Sequence, residues 1–483
     1  MKRKFIYYTL FGILTLAVYG CKAQKQTVNA NPNESSLQKA VAFPGAEGFG
    51  KYTTGGRGGK VFIVTNLNNE GPGSFREAAE SKQARIIVFA VSGTIHLDKS
   101  ISIQSNATIA GQSAPGDGIC IADKSVSLGG DNIIVRYMRF RLGDKWQRQA
   151  GKTDGSGGED AFGGTRKKNI IIDHCSFSWS NDEAISVYAG DSTTLQWNII
   201  SEPLNYSYHF ETGDADYENH GYGGIWGGRH LSAHHNLFAH CNNRNPRFDG
   251  IRNCPEELVD YRNNVIYNWG GNSVYAGEGG NYNLIDNYYK YGPNTNKDVR
   301  FRIVNPGKRE APFIPFGKFY VSGNYVDGAP DITKNNWGGI VMGNKGTEED
   351  KRESIIDKPH GVLAIPSQTS VQAYEEVLKE SGASYKRDTL DARIINDVRT
   401  RAGRFIDVQG GFPHGTALEL TLSAWPFLES TKAPFDTDKD GMPDAWEKAK
   451  GLNPENAADA ITFTLDKYYT NLEVYLNELL KTK

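Results

Sequence analysis

One short pattern recurs along the middle of this chain: an apolar run, a polar residue, Asn, then two or three apolar or aromatic residues. It occurs at Asn198, Asn236, Asn264, Asn287 and Asn324, in steps of 38, 28, 23 and 37 residues. A shortest step of roughly 23 residues suits one coil of a parallel β-helix, and longer steps suit coils with loop insertions. Two related runs, Ile133 to Phe140 and Ile170 to Phe177, lack the Asn. Stacked coils place equivalent residues above one another. Asn at a tight corner is expected in the left-handed region, passing side-chain hydrogen bonds up the stack. A β-sandwich of unrelated strands would not repeat the Asn or insert so unevenly. The expected fold class is all-β, a right-handed parallel β-helix with helical caps.

A chain of 483 residues is long for one ordinary domain and suits a large repeat domain with a smaller piece attached. Its 54 Gly and 24 Tyr fit a β protein better than a helical bundle. A formal net charge of −2 gives no basic field for nucleic acid. Any attraction for an acidic polymer must come from a local cluster of cations.

The N-terminus reads as an export signal. Lys2, Arg3 and Lys4 precede an apolar run from Phe5 to Tyr19, and Gly20 precedes Cys21. Residues 1–20 are read as a signal peptide of lipoprotein type, with Cys21 lipidated; cleavage near Ala23 is the alternative. That reading implies an outer-membrane lipoprotein, or an extracellular or periplasmic protein, of a Gram-negative bacterium. Any membrane contact would come through that anchor alone, and a monomer is expected. Residues 21–40 are polar and read as a linker. Cys120, Cys175, Cys241 and Cys254 show no metal spacing, although Cys241 and Cys254 could pair in an oxidising compartment.

The open ends of a β-helix need covers. Ser74 to Ser81 reads as an N-terminal cap helix, with a capping box of Ser74 and Glu77 and with Phe75 and Ala78 turned to the core. Ser370 to Glu380 and Thr389 to Arg401 have helical spacing and are expected across the C-terminal end. The β-helix with these helices is assigned to 41–425. The remainder, 426–483, carries Asp436, Asp438, Asp440, Gly441, Met442, Asp444 and Glu447 at the positions of an EF-hand calcium loop. Met442 would contribute its backbone carbonyl. Pro426 and Pro434 argue against an entering helix, so a structural calcium staple is expected.

Two stretches carry chemistry. One runs Ile170-Ile-Ile-Asp173-His174-Cys175-Ser-Phe-Ser-Trp179-Ser-Asn-Asp182-Glu183. The other is His234-His-Asn236-Leu-Phe-Ala-His240-Cys-Asn-Asn-Arg244-Asn245-Pro246-Arg247-Phe248. Together with the Gly-rich Ala42 to Gly50 and with Gly93-Thr94-Ile95, they resemble the family 1 pectate lyases from about Val41 to Val326. The resemblance implies Ca²⁺-assisted β-elimination on an acidic polysaccharide, pectate, giving 4,5-unsaturated oligogalacturonides. By the same resemblance Arg244 is the catalytic base. Arg229 and Arg247 bind substrate, and Asp160 and Asp182 hold the catalytic Ca²⁺, with Glu183 as the substitute for the acid that the family has at position 186. The sequence departs from the family at Ser186, where many members have Asp, and at Asp249, where the family often has Arg. Asp173 and His174 are expected to knit coils together.

Three other readings compete. A lyase for methyl-esterified pectin would not need Asp160 and Asp182. A β-helical glycoside hydrolase needs paired carboxylates, whereas Asp182 and Glu183 are adjacent and would face opposite ways on a strand. A non-enzymatic glycan-binding adhesin leaves Arg-x-Pro-Arg after the Asp-His strand unexplained.

Overall fold

Among the named strands every pairing but one is parallel and joins neighbouring coils; the exception is the antiparallel hairpin of Arg309–Glu310 with Phe313–Ile314. The computed structural model describes residues 40–482, so residues 1–20, Cys21 and all but the end of the 21–40 linker lie outside the described residues. Three sheets wind along one axis. Sheet 1 holds Val126–Leu128, Phe162–Thr165, Ile225–Gly228, Arg247–Phe248 and Val274–Ala276. Sheet 2 holds Ile133–Arg136, Lys168–Asp173, Leu231–His234, Leu258–Arg262, Asn281–Ile285 and Lys318–Ser322. Sheet 3 holds Arg139–Arg141, Ser176–Ser178, Ile199–Ser201, Leu237–Ala239, Val265–Tyr267 and Tyr288–Lys290. The long strand Ile185–Gln196 pairs with sheet 1 at its start and sheet 2 at its end, so the two are continuous. This is the right-handed parallel β-helix of the all-β class.

Alternation explains both faces of sheet 3. Phe177, Ile200, Phe238 and Ile266 point inward to the main core, where Phe140 and Phe177 stack at 5.4 Å. Ile199, Leu237, Val265 and Tyr267 point outward and are also fully buried. Their cover is the helix pair Ser370–Glu380 and Thr389–Thr400, through Val377, Leu378, Leu390 and Ile394. The pair therefore flanks the solenoid and does not close its C-terminal end, because sheet 3 has an apolar outer face that must be kept from water. Arg141 fixes the second helix, with Asp388 at 2.6 Å and Asp391 at 2.9 Å. The C-terminal end is closed by Pro330–Lys334 and the turn Asn336–Gly339, with Ala329, Ile332 and Ile340 in the core.

The N-terminal cap is a helix over Phe75–Ala79, with Phe75 and Ala78 buried. Ser74 accepts from the Glu77 amide at 3.2 Å, but the Glu77 carboxylate accepts from Gly73 N, not from Ser74, so the expected box is half formed. Outside sheet 2 lies the Gly-rich segment Ala42 to Gly50. Its Gly50 N donates to Thr194 Oγ1 at 2.8 Å, and a Cβ on Gly50 would sit 2.4 Å from the Ile170 carbonyl oxygen. The C-terminal segment covers the early coils, where Met442, Ala460, Leu472 and Leu476 pack on Ile86, Val88 and Ala110.

The five Asn residues form a buried ladder. Asn236 Oδ1 accepts from the backbone N and the Nδ2 of Asn198, at 3.0 and 2.9 Å. Asn264, Asn287 and Asn324 repeat this one coil on each time, and Asn336 ends the series. The ladder Asn residues are not in the left-handed region. That strain falls on the residue before each: Trp197 (φ 57°), His235 (55°), Asn263 (54°) and Asp286 (53°). The left-handed residue turns the chain outward and so delivers the next side chain inward onto the coil above. Trp197 and His235 stack at 4.1 Å on the outside of the same corner. Cys120, Cys175, Cys241 and Cys254 are all free, and Cys241 is locked in the core, so it does not pair with Cys254.

Replacing Asn264 with Ala should cost about 2–4 kcal/mol in chemical denaturation, because Asn236 N and the Ala233 carbonyl oxygen would be left buried without their partner. A loss below about 0.5 kcal/mol would make the ladder incidental.

Candidate active site

The approach to sheet 1 stacks one residue per coil into a column. Phe162 pairs with Ile185, which sets Asp160 beside Glu183, and the Glu183 amide donates to Asp160 Oδ1 at 3.0 Å. Glu183 bridges to Tyr222 on the next coil, and Tyr222 bridges to Asn243 on the one after. Arg244 follows at φ 56°, a left-handed corner that ends one turn and aims its side chain back over the column. Its guanidinium lies 4.2 Å from the centre of the Tyr222 ring. It touches the Glu183 carboxylate directly, and its Nη1 is 4.0 Å from Asp182. Asp160, Asp182, Glu183 and Arg244 are therefore brought together.

Burial and the neighbouring Asp182 charge push the Asp160 carboxyl well above its ordinary range. Burial raises Asp182 too, but hydrogen bonding and charge from His220, together with Arg244, hold it below. Ser186, in register with Gly163, accepts from the Ile225 amide at 3.1 Å and hydrogen-bonds Asp160. It supplies a hydroxyl at the position where many members of the resembled family have Asp.

The two other predicted arginines stand apart. Arg247 lies on sheet 1 one strand beyond, with Nη2 3.4 Å from Glu278. Arg229 follows the far end of Ile225–Gly228 and pairs with Glu256 at 2.8 Å, its side chain about half exposed. At roughly 3.3 Å per residue it is up to about 23 Å along the chain from Tyr222. The column position on that coil belongs to Tyr222, which the sequence reading missed. It missed His220 as well. His220 Nε2 is 2.6 Å from Asp182, and His220 also contacts Glu218. Burial opposes its charge, but these carboxylates raise its pKa to about 9. The one signal available was the crowding of His209, Glu218 and His220 in a single insertion. Asp173 and His174 belong to sheet 2, where Asp173 is buried against Arg136 at 2.8 Å, His174 at 2.7 Å and Gln196 at 2.8 Å.

A second acidic site lies in the C-terminal loop. Asp436, Asp438 and Asp440 offer oxygens within 4.8 Å of one another, and so do Asp440, Glu447 and Asp459. Both oxygens of Asp438 and of Glu447, and one each of Asp440 and Asp459, are buried with no hydrogen-bond donor. A hard cation fits such a set. Asp444 is not in it: its carboxylate caps Thr437, accepting from N and Oγ1 at 2.8 Å each. Asp459 comes in from outside the motif. Met442 buries its side chain, and no helix enters the loop, although Asp444–Lys450 leaves it as one.

No family model matches the chain. Named relatives do. "Probable pectate lyase C" of Aspergillus flavus is 35% identical over 452 residues, covering 91% of this chain and 94% of that protein. Its namesake in Aspergillus fumigatus is 34% identical over 459 residues, at 91% and 94% coverage. The chain belongs to the pectate lyase family. "Probable pectate lyase 5" of Arabidopsis thaliana matches a shorter part, 30% identical over 175 residues, 32% of this chain and 41% of that one. Among solved structures the major allergen from cedar pollen superposes at TM-score 0.46 and 16% identity, over 69% of this chain and 92% of that one. These relatives also correct one expectation. Pectate lyases of Aspergillus, fungi with no Gram-negative envelope, match along most of the chain, so the assignment to a bacterial outer membrane is withdrawn. Export is consistent with them.

The loop gives a pH prediction. Burial, with neighbouring charges, raises Asp440 to about 8 and Glu447 to about 7. A carboxyl whose pKa is higher folded than unfolded binds more protons when folded. Its contribution is full at low pH and is lost as pH rises through the folded value. Chelator-treated protein should therefore melt lower as pH rises from about 5 to about 8. The increment in Tm from added divalent cation should grow over the same range. A metal-free Tm that rose with pH would count against this account of the loop.

Proposed function

We propose that this protein cleaves pectate by β-elimination, with Arg244 as base and Ca²⁺ held by Asp160, Asp182 and Glu183. The observation that carries this is the convergence of Arg244 with the three carboxylates in one column. Removing the C5 proton of a uronate and expelling the C4 oxygen builds negative charge on the adjacent carboxylate. Ca²⁺, when bound, would neutralise that charge and make the C5 proton more acidic. The donor set fits it. All three side chains offer oxygen, and Asp160 sits buried beside a like charge.

Arg244 must be neutral to accept a proton, and arginine is ordinarily charged. Its contact with Glu183 has to give way before it can act, and Glu183, were it to hold Ca²⁺, would leave Arg244 free. Tyr222 keeps the freed guanidinium over the column. Arg247, one strand on, is assigned to a substrate carboxylate, whereas Arg229 is left out of the contact set. The carboxylates favour pectate over methyl-esterified pectin, which brings no charge for a cation to meet. The loop of 426–483 is assigned a structural Ca²⁺ through Asp436, Asp438, Asp440, Glu447 and Asp459, apart from the lyase body of 41–425.

Polygalacturonate incubated with the protein should gain the ultraviolet absorbance of an unsaturated uronate, and EDTA should abolish the gain. Saturated products would place the protein among hydrolases. In the same assay Arg244→Lys should lose roughly 10²- to 10⁴-fold in kcat, almost as much as Arg244→Ala, since Lys keeps the charge but not the guanidinium's reach. A near-normal kcat in Arg244→Lys would reduce Arg244 to a positive charge beside the substrate.

A further inference from the structure

The insertion between Ile199–Ser201 and Ile225–Gly228 turns back on itself, with Tyr206 bridged to Asn219. Glu218 N donates to the His209 carbonyl oxygen at 3.1 Å, so those two residues share a rung. Their side chains meet His220, the two imidazoles buried and Glu218 partly exposed. His209 Nδ1 is 3.0 Å from His220 Nδ1 and 2.5 Å from Glu218 Oε1, and His220 Nδ1 also touches that oxygen. Both imidazoles are almost fully buried. Three basic atoms thus face one another, and a single proton on one ring nitrogen leaves two lone pairs opposed. The other nitrogen of His220, Nε2, is 2.6 Å from Asp182. A carboxylate on the far nitrogen fixes a histidine with its Nδ1 lone pair turned to the shared space, the arrangement that supports a metal-bound imidazole.

We propose that His209, Glu218 and His220 form a binding site for a borderline divalent transition ion of the Zn²⁺ class, separate from the sites assigned to Ca²⁺. Two imidazole nitrogens and one carboxylate oxygen are a donor set for Zn²⁺ that leaves a position for water. Hard Ca²⁺ selects oxygen and would leave both nitrogens unused. The ion joins both arms of the insertion at its rung. Through His220 it also orients Asp182, so it steadies the column without joining it.

The test uses untagged full-length protein, stripped with chelator and dialysed into excess Ca²⁺, then titrated with Zn²⁺ by calorimetry and measured for bound metal. One Zn²⁺ per chain should bind in the presence of Ca²⁺, and His209→Gln and Glu218→Gln should each weaken it at least tenfold. Co²⁺ in the unaltered protein should give the visible absorption of a nitrogen- and oxygen-ligated ion, which keeps the question open to measurement if a variant fails to fold. No stoichiometric Zn²⁺, displacement by Ca²⁺, or equal affinity in folded variants would overturn the site. None of these readouts depends on lyase turnover.

Discussion

The structure depends on satisfying a buried corner once per coil. Where sheet 2 turns into sheet 3, the chain must bend sharply inside the packed body, and its peptide groups are buried there. The Asn ladder answers this, each amide accepting from the coil before and donating to a backbone carbonyl. An unpaired buried peptide group costs about 1–3 kcal/mol, so a register slip of one residue would lose this at every rung together. Fixing the coils in register at this corner also fixes them at the approach to sheet 1. There Asp160, Glu183, Tyr222 and Arg244 come from residues far apart in sequence.

Much of this was legible because a solenoid repeats its constraint. The Asn spacing exposed the coils, and the helices at Ser370–Glu380 and Thr389–Thr400 were visible from their apolar spacing. Where those helices would pack was not. The period of 2 in Ile199-Ile200 or Val265-Ile266 looks the same whether the outer face meets water or a helix, since both residues are apolar in either case. The left-handed residue was misplaced by one, onto the ladder Asn instead of Trp197, His235, Asn263 or Asp286 before it. Propensity favours Asn there, and the ladder's hydrogen bonds override propensity.

The site was legible where sequence adjacency becomes spatial adjacency and obscure where it does not. Arg244 and Arg247 flank one turn, and Asp182 and Glu183 another. Arg229 was placed by counting back from Asn236, but the insertion before Ile225 moves the coil's column position to Tyr222. The cation loop shows the same limit. The motif supplied Asp436, Asp438, Asp440 and Glu447, while Asp459 comes from a separate turn and Asp444 is diverted to Thr437. A motif states which residues can ligate, and packing decides which of them point inward.

The electrostatics of the column bear on the order of events in the proposed reaction. Arg244 lies against Glu183 and His220 against Asp182, while burial and the Asp182 charge push Asp160 toward its neutral form. The column as folded therefore has little net charge with which to attract a uronate. Ca²⁺ held by these carboxylates would change that balance, because it would take the Glu183 oxygen that Arg244 now holds and would add positive charge beside the substrate. Arg244 would be left over the Tyr222 ring. In the proposed reaction the contact between Arg244 and Glu183 would thus act as a latch, keeping the base occupied until the cation that makes the C5 proton acidic is in place.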